Sequence, residues 1–395
     1  MMPPLHLVLL THPPFLGIGS QALFAQSLAR GLAARGHRVE VRHPEARVRR
    51  WAGEGWLAKW GGYVDQYLLF PRALRRAMRH DAANTLYVFC DQALGPWVPA
   101  VLPRPHVVHC HDLLALRSAL GDIAEHTTSP TGRLYQRYIR RGFRRARHFI
   151  SISQRSRDDL HRHGDVAPAI SEVVYNGLNR PYRAVPLDEA RATLRRHGIA
   201  VDGRRCIVHV GNGQWYKNTA GVIAIYAALA RSATGAAMPP LWMVGPSLGR
   251  ELEAALAALP PAAEVRRFEG LAGEALEAMY SLAEILLVPS LAEGFGWPIA
   301  EALACGCPVI TTGEAPMTEV GGDAALYLPR LNHGDDIGAW AEQSAALLRR
   351  VMSRSAAEKD RAARAGQAQA ARFDADRAVD AYIEIYRRVL ACATT

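Results

Sequence analysis

Short apolar runs alternate with longer stretches of helical period along this chain, and the alternation predicts parallel β-sheets covered by helices on both faces. In the first half the runs are Leu5–Leu10, Val39–Arg42, Thr85–Phe89, Val107–Cys110, Phe149–Ile152 and Val173–Tyr175. A helix is expected from about Gln21 to Arg35, with Gly36 as its stop, and Ser153 reads as the cap of another running through His161. A polar, arginine-rich stretch (Pro181–Arg205) precedes a second set of runs at Cys206–Val210, Leu241–Val244, Val265–Phe268, Ile285–Val288 and Pro308–Thr311. In the last stretch, Ala375–Ala391, Val379, Tyr382, Ile383, Tyr386 and Leu390 share one helical face. The expected architecture is α/β with two doubly wound halves, residues 1–182 and 183–374, and a terminal helix, 375–395. Ligands are expected in a central cleft, at the carboxyl ends of the strands.

The 395 residues exceed what one core usually supports, and 49% hydrophobic with 21% charged residues excludes general disorder. No apolar run reaches the ~18–20 residues a bilayer span needs. Met1–Pro4 carries no basic segment and Leu5–Leu10 is short for a secretory signal, so a cytoplasmic protein is expected. Six scattered cysteines match neither a disulfide framework nor a zinc ligand set and read as reduced, mostly buried thiols.

Charge changes the picture of the first half. Residues 1–180 hold 25 Lys and Arg against 13 Asp and Glu, whereas residues 181–395 hold 22 against 24. Arginines cluster at Arg72–Arg76 and Arg133–Arg147. Trp51, Trp56, Trp60, Tyr63, Tyr67 and Phe70 precede the first cluster, while Tyr135, Tyr138 and Phe143 thread the second. The pattern suits a solvated helix face, an anionic membrane surface or a phosphorylated substrate. No nucleic-acid module accompanies it, so a nucleic-acid partner is not expected.

The chemistry concentrates in Pro289–Ile310. A strand runs into a glycine-bearing loop and then a helix opening at Trp297-Pro298, where proline's missing N–H costs nothing. Backbone amides at Gly294, Phe295 and Gly296 with the helix N-terminus suit an anion or sugar oxygens. Glu293 and Glu301 flank this loop, either as carboxylates that accept from sugar hydroxyls or as ordinary helix-start glutamates. The segment resembles the Glu-x7-Glu signature of retaining glycosyltransferases of family 4 (glycosyl transferases group 1), which have the GT-B fold of two Rossmann-like domains. The likeness extends to Val108–Asp112, Ile150–Ser153, Val173–Gly177, His209–Asn218 and Glu314–Ala325.

That resemblance implies a hexose transfer with retention, from a nucleotide-diphosphate sugar (GDP-mannose or a UDP-sugar) to a glycan or lipid-linked acceptor in polysaccharide or glycolipid assembly. It implies no cofactor and no bound metal. Glu301 would grip the ribose hydroxyls and Glu293 would lie beside the donor sugar. Phe295 and Gly296 would bind sugar or phosphate oxygens beside Gly294, and Lys217, in the loop begun by Gly211, would neutralise the leaving diphosphate. The Gly17–Ser20 loop, through Gly17 and Gly19, would approach the diphosphate from the other domain, and His111 would line the cleft near the reacting carbon. Asp91 and Asp112 are candidates for the acceptor side, Asp91 equally as a loop cap. The donor base would be chosen near Pro246–Gly249 and Glu269–Leu271. One departure stands out: family members often carry an Arg early in the loop, but Asn212–Tyr216 contains none, leaving Lys217 without a basic partner. A nucleotide-sugar epimerase of the same fold and a non-catalytic nucleotide-sugar or polyanion binder are the alternatives. A peripheral position at the inner face of a membrane is compatible with the basic, aromatic first half.

Overall fold

A computed structural model describes residues 3–394 apart from 18, 52, 54, 233–237 and 272. Met1 and Ile18, which enter the readings of the N-terminus and the glycine loop, lie outside the described residues. The chain forms two compact units, one of residues 1–123, 127–179 and 375–395, the other of 124–126 and 180–374.

Each unit is built on a six-stranded, wholly parallel sheet. The first contains β1 (His6–Leu10), β2 (Arg38–Arg42), β3 (Leu86–Phe89), β4 (His106–Cys110), β5 (His148–Ser151) and β6 (Ile170–Val173), in the order β2-β1-β3-β4-β5-β6. The second contains β7 (Ile207–Val210), β8 (Leu241–Val244), β9 (Val265–Phe268), β10 (Ile285–Val288), β11 (Val309–Thr312) and β12 (Leu326–Leu328), in the order β12-β11-β10-β7-β8-β9. The central strands β3, β4 and β10 are buried at every position, as strands covered on both faces must be; β3 and β10 therefore read as unbroken apolar runs, while β4 (HVVHC) carries two buried histidines. The edge strand β2 (RVEVR) is partly exposed throughout.

Eleven strands fall within three residues of their apolar runs, and β8, β9 and β10 coincide with theirs. The closing strand of the first sheet lies at Ile170–Val173 rather than Val173–Tyr175, because His148 pairs with Ile170 and Ser151 with Val173, so Tyr175 runs past the ladder. The edge strand β12, three residues long, gives no period to read and goes unmarked in the sequence pattern. A helical run from Trp56 to Ala77 is a further addition; it passes through one π-helical turn, Asp65–Leu69.

In the first unit, the terminal helix Ala375–Thr394 packs on the first helix, Ser20–Ala34, and on β4. A Cβ on Gly31 would meet Val379 Cγ2 at 2.7 Å, so the glycine sets that close approach. Tyr386 hydroxyl and His109 Nε2, both buried, lie 2.7 Å apart, and Arg35 donates to Asp380 and Asp376 at the surface. A second close crossing joins the 3₁₀ stretch Gln92–Trp97 to the helix Pro130–Phe143: a Cβ on Gly142 would stand 2.1 Å from the Gly95 carbonyl oxygen. The obstacle is backbone, so Gly142→Ala should cost about 1–3 kcal/mol or more of stability. A chemical-denaturation curve matching that of the parent protein would show that the crossing is looser than described.

Candidate functional site

In a doubly wound sheet, neighbouring strands at the switch of order send their following loops in opposite directions, leaving a crevice at their carboxyl ends. In the second unit that switch lies between β7 and β10. The loop after β7 carries Gly211 and Lys217, and the loop after β10 carries Glu293 through Gly296. Lys217 Nζ donates to Glu293 Oε1 at 2.6 Å, and Ser290 Oγ donates to the same oxygen at 2.8 Å. Both charged side chains are about nine-tenths buried, so the pair is held rather than solvated.

Local chemistry fixes the partners. Asn218, at φ 52°, accepts from the Gly221 amide to cap the helix Thr219–Arg231 and donates to the Pro289 carbonyl at 3.0 Å. The Leu291 amide donates to the Tyr216 carbonyl at 2.7 Å. The two loops are therefore stitched together on either side of Lys217. Gly211 lies over the His209 ring, where a Cβ would stand 2.9 Å from Nε2, and its carbonyl presses on Gly245, which would clash if it bore a side chain. Gly296 adopts φ 102° at the start of the helix Trp297–Ala304, a conformation that favours glycine.

Glu301 is buried one turn into that helix, and Tyr280 donates to its Oε2 at 2.9 Å. Burial pushes the Glu301 carboxyl up to about 7, with Tyr280, Lys217, Tyr182 and Arg180 all opposing the rise. The sequence offered Glu293 and Glu301 equally as exposed helix-start residues; both are instead enclosed and partnered. Lys217, lacking a neighbouring Arg, has its charge met by Glu293. The stretches named for the donor base also converge: Pro246, Leu248 and Glu269 line one pocket together with Gly211 and Gly213.

In the first unit the order switches between β1 and β3. Asp91, just past β3, is buried; its Oδ1 accepts from the Ala93 amide and its Oδ2 lies 2.9 Å from His12 Nε2, in the loop after β1. Burial alone would raise the Asp91 carboxyl, but the His12 and Ala93 bonds and the nearby His111 hold it below its ordinary value. Asp91 is thus a loop cap and a histidine partner at once. His111, past β4, is committed locally: its Nε2 lies 2.9 Å from the Cys90 carbonyl oxygen, its amide donates to Gln92, and its ring meets Phe24 edge-on. Burial is the main cause that lowers its basicity. Asp112 Oδ1 accepts from the Leu114 amide. Gly17 has φ 91° and open space where a Cβ would be; Gly19 is extended and caps the first helix.

Sequence reasoning missed His12, Ser290, Tyr280 and Tyr182. His12, Tyr280 and Tyr182 acquire their roles only from partners far along the chain, whereas Ser290 acts three residues away, on Glu293. His12 stood in a visible Thr-His-Pro-Pro turn after a strand at the edge of the switch, which was the available signal. Among the described residues, no three His, Cys, Asp or Glu side chains group as a metal site would require, and no helix is long and apolar enough to cross a membrane.

Two family models match the chain: one described as Glycosyltransferase Family 4 over residues 21–180, the other as Glycosyl transferases group 1 over residues 204–350. D-inositol 3-phosphate glycosyltransferase of Mycobacterium tuberculosis (strain F11) is 29% identical over 261 residues, covering 61% of this chain and 48% of the relative. The chain therefore spans about half the length of that curated relative. Among solved structures, sucrose-phosphate synthase from Thermosynechococcus elongatus superposes with a TM-score of 0.72 at 20% identity, covering 98% of this chain and 100% of the other. Anabaena HepE, solved in complex with UDP and glucose, superposes at 0.68 with 18% identity, covering 96% and 98%. These two likenesses establish the GT-B fold.

Proposed function

The chain belongs to glycosyltransferase family 4, group 1, and on that premise we propose that it moves a hexose from a nucleotide-diphosphate sugar to a glycan or lipid-linked acceptor, with retention of configuration. The observation that carries the reading is the Lys217, Glu293 and Glu301 constellation at the switch point of the second sheet. A cation, two enclosed carboxylates and a glycine loop at strand ends suit a diphosphate joined to a ribose and a sugar. The relative's name, a glycosyltransferase acting on an inositol phosphate, and the neighbour solved with UDP and glucose support the same class.

In the proposed mechanism Glu301 accepts hydrogen bonds from the ribose hydroxyls. Donor binding draws Lys217 from Glu293 toward the diphosphate, and Glu293, still held by Ser290, turns to the sugar. As the bond from the anomeric carbon to the phosphate oxygen breaks, negative charge grows on the diphosphate and Lys217 stabilises it. The acceptor oxygen bonds to the same face of the anomeric carbon, and its proton passes to the departing phosphate. No metal is given a role, because Lys217 supplies the positive charge.

Binding is the test. Thermal denaturation with GDP, UDP, ADP and dTDP should single out one nucleotide, and a ligand at ~100 times its dissociation constant adds about 2.7 kcal/mol. A midpoint that moves with none of them, or with their sugars, would overturn the donor-site reading.

A further inference from the structure

The helical run Trp56–Ala77 presents a solvent face that the transfer mechanism leaves unused. At its start Trp56, Leu57 and Trp60 are 70%, 52% and 60% exposed, and Trp51, in the preceding turn, is 78% exposed. Leucine and tryptophan side chains this exposed and this close together are not what a face in contact with water alone needs.

The segment beneath them is fastened by hydrogen bonds and close packing. Buried Asp65 accepts from the amides of Val48 and Arg49 at 2.8 and 3.0 Å, fastening the Trp51 segment to the helix. Gly61 lets that segment sit close, since a Cβ there would meet Arg49 Cα at 2.9 Å. The aromatic side chains are therefore held outward by a built support.

Further along the same run the face turns basic. Arg72 and Arg75 line a groove of about 400 Å³ with Arg141 and Arg145, which stand on or just past the helix Pro130–Phe143. None of these four arginines has an ion-pair partner among the described residues, and no acidic side chain lines the groove. Tyr67 and Tyr138 line it as well. Tyr67 joins the two helices, its hydroxyl 2.5 Å from that of Tyr135 and its ring edge-on to Tyr138. The second helix repeats the pattern, with exposed Leu134 and Tyr138 leading into Arg141 and Arg145.

We propose that this face docks on a bilayer containing anionic lipid, with Trp51, Trp56, Leu57 and Trp60 entering the boundary between head groups and acyl chains and the four-arginine groove receiving a lipid phosphate. Tryptophan favours that boundary, and arginine forks match phosphate oxygens. Charge complementarity selects anionic over neutral lipid. The leucines select lipid over a nucleic acid, since bases stack on aromatic rings and not on Leu57 or Leu134. The inference supplies a surface for the lipid-linked acceptor reading but is independent of the donor site, because it is read as binding without transfer.

The test is sedimentation of the full chain with vesicles of equal parts phosphatidylglycerol and phosphatidylcholine, against phosphatidylcholine alone, at low salt. The protein should sediment with the mixed vesicles only, with its tryptophan emission shifted to the blue. Trp56→Ala with Trp60→Ala should weaken binding roughly tenfold and abolish most of the shift. Arg72→Ala, Arg75→Ala and Arg141→Ala should each cost about fivefold and flatten the salt dependence. All are exposed positions, so an unchanged melting midpoint confirms that the variants fold. No sedimentation with either vesicle overturns the proposal, as does sedimentation that ignores both sets of substitutions. Tight binding to a single-stranded oligonucleotide that depends on the arginines but not on Trp56 and Trp60 would reassign the groove and overturn it too. Nucleotide-induced stabilisation is a separate measurement, so a failed vesicle result leaves the donor site standing.

Discussion

Lys217→Ala should lower turnover by about 10²–10³-fold while nucleotide affinity changes far less. The reasoning is electrostatic. Lys217 is enclosed with Glu293 at 2.6 Å, in surroundings where a charge interaction is worth more than in water. In the ground state it exchanges one anion, Glu293, for another, the diphosphate, so net binding gains little. In the transition state the leaving group carries additional charge, and only then does the cation act without an offset. The substitution also strands Glu293, which keeps the Ser290 bond but loses its counter-ion. Lys217→Ala combined with Glu293→Gln removes that stranded charge. The mechanism needs both the cation and the Glu293 carboxylate, so the double variant should be no faster than the single one; recovery of turnover would assign the loss to the uncompensated carboxylate and sink the mechanism. The readout is kcat and KM measured separately with the nucleotide sugar selected in the stabilisation experiment.

The second large effect concerns Glu301, and its signature is pH. Burial is the first cause that raises its carboxyl to about 7, so in the free protein it is half protonated near neutrality. Only the ionised form offers charge-assisted acceptors to two ribose hydroxyls. Nucleotide affinity should therefore rise from pH 6 to pH 8 in the parent protein, and Glu301→Gln should remove this rise and weaken binding by about 1–3 kcal/mol. Stability runs the other way. A carboxyl whose folded value lies above its unfolded one favours folding while it is neutral, and that contribution is lost as pH climbs from about 4.5 through about 7. Without ligand, the parent's stability relative to Glu301→Gln should fall over that window. Titration calorimetry with the selected nucleotide and denaturation at several pH values check both; a pH-independent affinity in the parent would mean that Glu301 does not contact the ribose. Because Lys217 also stabilises the carboxylate, Lys217→Ala should move the rise in affinity to higher pH.

Much of this was legible in the chain. β3, β8 and β10 lie buried between helices, so their residues read as short apolar blocks whatever surrounds them. The Glu293–Glu301 loop was equally legible, since a strand, glycines and a helix start with proline are local matters of backbone conformation. The run Trp56–Ala77 was not, because Trp56, Leu57 and Trp60 face solvent and so break the rule that apolar positions mark the buried side. A π-helical turn at Asp65–Leu69 then shifts the phase of the remainder.

What the sequence determines by itself is set by neighbours along the chain: two doubly wound sheets, the glycine loop before Trp297, and the uneven charge between the first and second parts. Tertiary structure alone decides which of those residues act together. Lys217 and Glu293 are 76 residues apart, His12 and Asp91 are 79, and His109 and Tyr386 are 277. No periodicity encodes such pairs, because they arise where separate strands end side by side at a switch of order or where the terminal helix returns to β4. The same holds for the state of Glu301. Its residue type is written in the chain, but its carboxyl sits near 7 because the folded second unit withdraws it from water and leaves Tyr280 to share its charge.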